Sequence, residues 1–306
     1  MRRLLVLVTA LTVLPASSAL AAELDDLLEQ SRDASYSAEQ IISCSTPDGV
    51  RDAVVWIAQS AGEIHIGAKA SQDMEIAAGY GGWTLSDGGG VVSSASVNAT
   101  DERATPVYAV EEVETVRFLG RPATTHHLIR DGVLRAELVF DDETSAMVGV
   151  TTFSADGATY CERRFVSFDP TDPRFDGATT SDADQLAAGA ISTSLPESVV
   201  GFDRLDFYED EDGFRFGYYS DGFFSFAVFE TPTTVALPGA RPVEILGASY
   251  RRSFTAGQVT YVWETVDGGM ALVGDLPPDL HEPVITALPD SARPGLLRRL
   301  WRSLFG

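Results

Sequence analysis

The chain has 306 residues, 44% of them hydrophobic and 22% charged, a globular composition long enough for two domains. It carries 45 Asp and Glu against 22 Lys and Arg, a formal net charge of −23. Such a surface repels phosphate backbones and broad anionic lipid faces, so nucleic acid is excluded as an expected partner, and charged partners are expected to be basic.

The first 21 residues read as a signal peptide. Arg2 and Arg3 form a positive start, Leu4 to Leu14 is an apolar run, and Ala19-Leu20-Ala21 supplies small residues for cleavage. A run of that length is too short for a permanent span of a bilayer core about 30 Å thick, which leaves an N-terminal anchor as the weaker alternative. Without Arg2 and Arg3 the net charge becomes −25. The expected location is periplasmic, or extracytoplasmic more generally. Leu24, Leu27 and Leu28 then recur at helical spacing, with Asp25 and Asp26 in the first turn.

From Ser35 the apolar period changes to two. Strand patterns run over Ser35–Ser45, Ala53–Ala58, Glu63–Ala68, Val107–Val113 and Thr115–Leu119. Gly81-Gly82 and Gly88-Gly89-Gly90 mark flexible loops around Trp83. Between Thr124 and Phe168 four alternating runs are cut by Asp131-Gly132, by Asp141-Asp142-Glu143-Thr144 and by Asp156-Gly157, which predicts an antiparallel meander. The only two cysteines are Cys44, in the first strand pattern (Ser35–Ser45), and Cys161, in a late strand of the same expected sheet (Thr159–Phe168). An exported chain with two cysteines favours a disulfide. A catalytic thiol is the alternative, and it would need a base that neither strand segment supplies.

Asp169 to Asp184 is acidic and rich in Pro and Gly, which predicts a linker. Further strands are expected at Arg204–Tyr208, Phe214–Tyr219, Phe223–Phe229, Val243–Leu246, Ala248–Phe254, Val259–Glu264 and Met270–Val273, then a helix from near Pro278 over Leu280–Leu288. Glu209-Asp210-Glu211-Asp212-Gly213 reads as a solvated hairpin turn. As an EF-hand loop it would put Tyr208 and Tyr219 where oxygen ligands are required. Phe214, Phe216 and Tyr218 share one strand face, as core packing or as a partner surface. The C-terminal segment 291–306 is a basic amphipathic tail: Leu296, Leu297, Leu300, Trp301 and Leu304 form a stripe, with Arg298, Arg299 and Arg302 largely opposite. It can lie on a membrane or dock on the acidic body.

No arrangement points to catalysis, a metal or a cofactor. His65, His126, His127 and His281 stand in no metal-binding motif, and His126 and His127, adjacent on a strand, face opposite sides. No nucleophile elbow, phosphate loop or dinucleotide fingerprint is present.

Several segments, in order, resemble the MucB/RseB family of extracytoplasmic regulators. Tyr219-Ser220-Asp221-Gly222-Phe223-Phe224-Ser225-Phe226-Ala227-Val228 is similar to the family's strand–turn–strand signature, and Leu272-Val273-Gly274-Asp275-Leu276-Pro277-Pro278 to the stretch before its last helix. Gly247-Ala248 and the meander after Val113 fit the same order. The resemblance implies an α+β, β-rich fold: a curved, half-open antiparallel sheet with covering helices, of the lipoprotein-carrier (LolA/LolB-like) type, plus a smaller C-terminal β-rich domain. It divides the chain into a carrier-like domain over 22–170, a linker over 171–193 and a partner-binding domain over 194–290. It further implies a non-enzymatic negative regulator of an extracytoplasmic-function sigma factor. Such a protein binds the extracytoplasmic part of a membrane anti-sigma factor, shields it from proteolysis and senses envelope stress through a lipid-like ligand. Tyr219, Ser220, Asp221, Gly222, Phe223 and Phe224 are the expected partner-binding residues; Leu297, Arg298, Arg299, Leu300, Trp301 and Leu304 are the expected peripheral membrane contact. A lipid or lipoprotein carrier of the cell envelope is the alternative function.

Overall fold

Two eight-stranded antiparallel sheets make up most of the structure, a computed structural model. It describes residues 17–47, 49–60, 63–68, 74–79, 82–87, 90–96, 107–171, 195–209, 215–232, 237, 239–255, 257–265 and 268–289. Most of the expected signal peptide, residues 172–193 of the expected linker, residues 210–214 of the expected acidic turn and the whole expected C-terminal tail lie outside these residues.

The first described element is α1 (Ser17–Asp33). Leu24 and Leu28, one turn apart, are buried on one stripe of it, as a 3.6-residue period requires. The end of α1 is tied down by Gln59, whose amide donates to the carbonyls of Ser31 (2.5 Å) and Arg32 (2.9 Å) and accepts from the Tyr36 hydroxyl (3.0 Å). These carbonyls lie in the last turn, which has no intrahelical donors left to offer them.

The first sheet comprises β1 (Tyr36–Thr46), β2 (Gly49–Ser60), β3 (Glu63–Ala68), β7 (Ala109–Phe118), β8 (Arg121–Arg130), β9 (Val133–Asp141), β10 (Met147–Phe153) and β11 (Thr159–Asp169). Their order is β3-β2-β1-β11-β10-β9-β8-β7, so the chain's first strand closes onto the last strand of the meander. The expected meander is β8 to β11. Its Asp131-Gly132 turn has both residues at positive φ (52° and 77°), the geometry of a two-residue hairpin. The two predicted runs at Val107–Val113 and Thr115–Leu119 are one strand, β7. A bulge between Glu112 and Glu114 leaves Val113 without a partner on β8, and that extra residue shifts the alternation.

The glycine-flanked region around Trp83 differs from expectation. β4 (Met74–Gly79), β5 (Gly82–Asp87) and β6 (Gly90–Ser96) form a small antiparallel sheet, with Trp83 inside β5, while Gly81, Gly88 and Gly89 of the expected loops lie outside the described residues. Gly82 and Gly90 each begin a strand, so these glycines mark hairpin corners.

The second sheet has the order β12-β13-β14-β15-β19-β18-β17-β16. Its members are β12 (Ser198–Val199), β13 (Phe202–Glu209), β14 (Arg215–Ser220), β15 (Ser225–Thr231), β16 (Arg241–Ile245), β17 (Ala248–Thr255), β18 (Gln258–Glu264) and β19 (Gly269–Gly274). α2 (Pro278–Ala287) follows, with Pro278 at its first position, where a missing N–H costs nothing. Within this sheet only the two-residue β12 has no counterpart in the expected strands.

The second sheet is apolar on both faces. One face carries Phe216, Ala227, Phe229, Val262 and Ala271, all buried in one cluster, which places Phe216 in a core. The other face carries Tyr219, Phe226, Val228, Tyr261, Trp263 and Leu272. Those residues share a cluster with Tyr108, Val110, Leu128, Ala136 and Leu138 of the first sheet, with Leu24 and Leu28 of α1 and with Val284 and Ile285 of α2. A hydrophobic core therefore spans both sheets and both helices.

Candidate functional site

The turn between β14 and β15 is built by Asp221. Its Oδ1 accepts from the backbone N–H groups of Phe223 (3.1 Å) and Phe224 (2.9 Å), while its own N–H donates to the Phe224 carbonyl (3.2 Å). Asx turns of this kind let a carboxylate replace backbone partners. Gly222, at φ 96°, occupies a backbone region that side chains disfavour. The Ser220 hydroxyl donates to the Phe224 carbonyl (3.1 Å) and accepts from the Gly222 N–H (3.1 Å).

The other carboxylate oxygen leaves the hairpin. Oδ2 accepts from the Tyr108 hydroxyl at 2.6 Å and from the Arg130 guanidinium at 3.0 Å, both on the first sheet's side of the core. The Asp221 residue is only 1% exposed. Burial and the neighbouring carboxylate push the Tyr108 phenol far above its usual range, so it stays a donor at every physiological pH. Burial also raises the Asp221 carboxyl, against the pull of the Tyr108 hydroxyl, the two turn N–H groups and Arg130. Phe223 and Phe224 pack edge-on against Tyr108, with centroids 6.0 and 6.5 Å away.

Three further contacts join the same two bodies. Arg163 of β11 reaches the Gly257 carbonyl at 3.5 Å and Asp275 at 3.9 Å, and Asp275 in turn accepts the Ser225 N–H at 2.9 Å. Arg135 occupies a bulge of β9, between the residues paired with Leu128 and Ile129, and forms a forked pair with Asp279 in the first turn of α2 (3.0 and 3.2 Å). A bulge re-aims a side chain, and here the buried guanidinium meets its carboxylate in a bidentate geometry. Third, the turn between β17 and β18 sits on the disulfide.

That disulfide joins Cys44 to Cys161, which face each other across β1 and β11 and are 117 positions apart. No free cysteine remains, so the catalytic-thiol alternative falls away. The two residues are 3% and 1% exposed. A Cβ at Gly257 (φ 84°) would stand 3.3 Å from Cys44 Sγ and 3.1 Å from Ile42 Cγ2, so glycine is what lets the hairpin lie this close.

His126 and His127 point to opposite sides, as expected. His127 meets Glu137 at 3.3 Å, and His126 is buried against Phe140. His281 of α2 is buried, with Nε2 donating to the Leu276 carbonyl (2.9 Å) and Nδ1 accepting from the Tyr261 hydroxyl (3.1 Å). Desolvation lowers its pKa to about 4. Among the described residues no three His, Cys, Asp or Glu are grouped as a metal ion requires. No described helix is long and apolar enough to cross a membrane.

No protein-family model matches the sequence, and no curated protein matches it either. Solved structures do match. The complex of Pseudomonas aeruginosa MucA and MucB superposes with a TM-score of 0.50 over 90% of this chain and 100% of that one, at 19% identity. The chain has the MucB fold. MucB in complex with MucA(peri) gives 0.50 at 20% identity over 89% of this chain, and a further MucB crystal structure gives 0.52 at 16% over 88%.

Set on the MucB fold, the two stretches that carry the sequence resemblance occupy the joint between the sheets. Tyr219, Ser220, Asp221 and Phe224 are buried there, while Gly222 and Phe223 are half-buried. Gly274 and Asp275 meet β15 and Arg163, and Pro277-Pro278 leads into Asp279, the partner of Arg135. Tyr108, Arg130, Arg135 and Arg163, which complete the joint, were not singled out by sequence reasoning. Their signal is faint: none stands in a motif of its own, and its partner lies 91 or more positions away.

Proposed function

We propose that this chain is an exported regulator of the MucB/RseB kind. It binds the extracytoplasmic part of a membrane anti-sigma factor, shields that segment from proteolysis and so restrains an extracytoplasmic-function sigma factor. The observation that carries the reading is the MucB fold over nearly the whole chain, two of the matched MucB structures being complexes with MucA. The resemblance in sequence supports it independently, because its motifs fall on the residues that fix how the two sheets meet. In this reading 22–170 form the carrier-like domain, 171–193 the linker and 194–290 the partner-binding domain.

The buried Tyr219–Phe224 hairpin contributes to partner binding chiefly by setting the relation of the two sheets, with Phe223 as the side chain open to contact. The tail, through Leu297, Arg298, Arg299, Leu300, Trp301 and Leu304, holds the protein near the periplasmic membrane face, each Arg adding about 1 kcal/mol against an anionic leaflet. A lipid-like ligand relieves the restraint.

Pull-down with the extracytoplasmic segment of an anti-sigma factor encoded beside this chain tests the reading. Stoichiometric capture supports it. No capture, together with lipid retained by the native protein in mass spectrometry, assigns the chain to lipid or lipoprotein carriage instead.

A further inference from the structure

The Cys44–Cys161 disulfide lies under the turn between β17 and β18, where the two sheets meet. Ile42 pairs with Arg163 and Cys44 with Cys161, so all four side chains share one face of β1 and β11, the face this turn covers. The point that a Cβ of Gly257 would take is 3.1 Å from Ile42 Cγ2, 3.3 Å from Cys44 Sγ and 3.5 Å from Arg163 Nε. Even a methyl group would not fit between the turn and the sulfur.

Arg163 adds an independent sign. Its Nε is buried and has no hydrogen-bond partner among the described residues, while its Nη2 reaches the Gly257 carbonyl at 3.5 Å and Asp275 at 3.9 Å. Buried donors left unpaired are rare and call for a cause. A disulfide sulfur is a weak, uncharged acceptor. A thiolate carries a full negative charge, and a neighbouring guanidinium favours it. The orphan donor thus suits the reduced state of the bond beside it better than the oxidised one.

Room points the same way. Two thiols no longer share a bond and retreat to van der Waals separation, so the reduced pair takes more space than the disulfide. Cys44 and Cys161 are 3% and 1% exposed, and the extra space has to come from under the turn. We propose that this bond is a redox lock on the joint: oxidised, it lets the β17–β18 turn seat on β1 and β11; reduced, it lifts the turn and draws Arg163 from Gly257 and Asp275 towards the Cys44 sulfur. The reductant is a dithiol. Its thiolate attacks Cys161 Sγ, and Cys44 leaves as the thiolate beside Arg163; the dithiol's second sulfur then closes on its first and releases Cys161. The dithiol's two electrons end on the cysteines, one of its protons on Cys161 and the other in water, and the dithiol is left as a disulfide. The covered bond is open to attack only when the turn lifts, so opening and reduction favour each other. The lock goes beyond the regulatory reading and does not depend on it.

Nuclear magnetic resonance of the full chain, isotopically labelled at glycine and arginine nitrogen, tests the lock with a soluble paramagnetic agent in the solvent. Full reduction by dithiothreitol, confirmed by thiol trapping, should raise the relaxation enhancement of the Gly257 amide several-fold. Gly274, buried on β19 against Phe226, should stay shielded. The Arg163 Nε–H resonance should move downfield as it gains a charged acceptor. Cys44→Ala with Cys161→Ala breaks the same cross-link but leaves neither thiol, so its Gly257 and Arg163 signals should stay with those of the oxidised chain. An unmoved Gly257 on reduction overturns the lock. So does equal exposure in the double variant, which would make the bond a plain cross-link, and so does exposure of Gly274 along with Gly257, which would mean general loosening.

Discussion

Replacing Asp221 by Ala removes the carboxylate on which the Tyr108 hydroxyl, Arg130 and two turn N–H groups converge. Breaking a fully buried ion pair from one side costs roughly 3–5 kcal/mol. Arg130 keeps 24% of its side chain exposed and can rehydrate, so its share is small and the total belongs at the lower end, about 3 kcal/mol. For a chain of this size that corresponds to a fall in Tm of roughly 6–12 °C. Asp221→Ala also loosens its own hairpin, so a second variant isolates the contact between sheets. Tyr108→Phe deletes only the hydroxyl, and it should cost about 1–2 kcal/mol because one of Asp221's acceptor sites then goes unfilled in the core. Urea unfolding of Tyr108→Phe, Asp221→Asn and the double variant gives the coupling energy, expected at about 1–2 kcal/mol. If the single losses simply add, or Asp221→Ala costs less than about 1 kcal/mol, the reasoning that this carboxylate clamps the sheets together is wrong.

Other consequences follow from the same geometry. Replacing both Cys44 and Cys161 by Ala frees a loop of 117 residues and should lower stability by about 5 kcal/mol on the chain-entropy model, measurable as a shift in the denaturant midpoint. Gly257→Val places branched carbon against Ile42 and Cys44 at a positive φ. It should destabilise by roughly 1–3 kcal/mol and speed reduction of the disulfide by dithiothreitol, read by thiol trapping; an unchanged reduction rate would mean the hairpin does not cover the bond. His281 is neutral when folded, with a pKa of about 4 against 6.5 when free, so the unfolded chain takes up the proton first. Its contribution is complete above pH 6.5, declines as the pH falls towards about 4 and is flat below that, a span of about 3 kcal/mol. His281→Gln should flatten the stability curve across that window.

Much of the fold was legible because alternation and turn chemistry are local. Asp131-Gly132 and Asp156-Gly157 mark real hairpin corners, and the strands from Arg204 to Val273 lie within a few residues of their expected places. Local signals also misled in two ways. Val113 splits β7 into two apparent strands because a bulge shifts the side-chain phase. Gly82 and Gly90 suggested loops, although each is the first residue of a strand, β5 and β6. The joint between the sheets was legible only as motif. The sequence shows Asp221 in a turn, but the hydroxyl it meets is 113 positions away and has no pattern of its own. Tyr219 and Phe224, which the resemblance marks as partner-binding, lie in a core, because a sheet apolar on both faces draws them inward.

The role proposed for this chain is protection of an anti-sigma factor's extracytoplasmic segment. Its most direct test incubates that segment with an envelope protease, with and without a stoichiometric amount of this chain, and follows cleavage over time. The chain is expected to bind the segment and slow its cleavage, and Asp221→Ala, by loosening the joint, to weaken both effects. Cleavage at the same rate with the chain bound, or no binding by the folded chain, would contradict it.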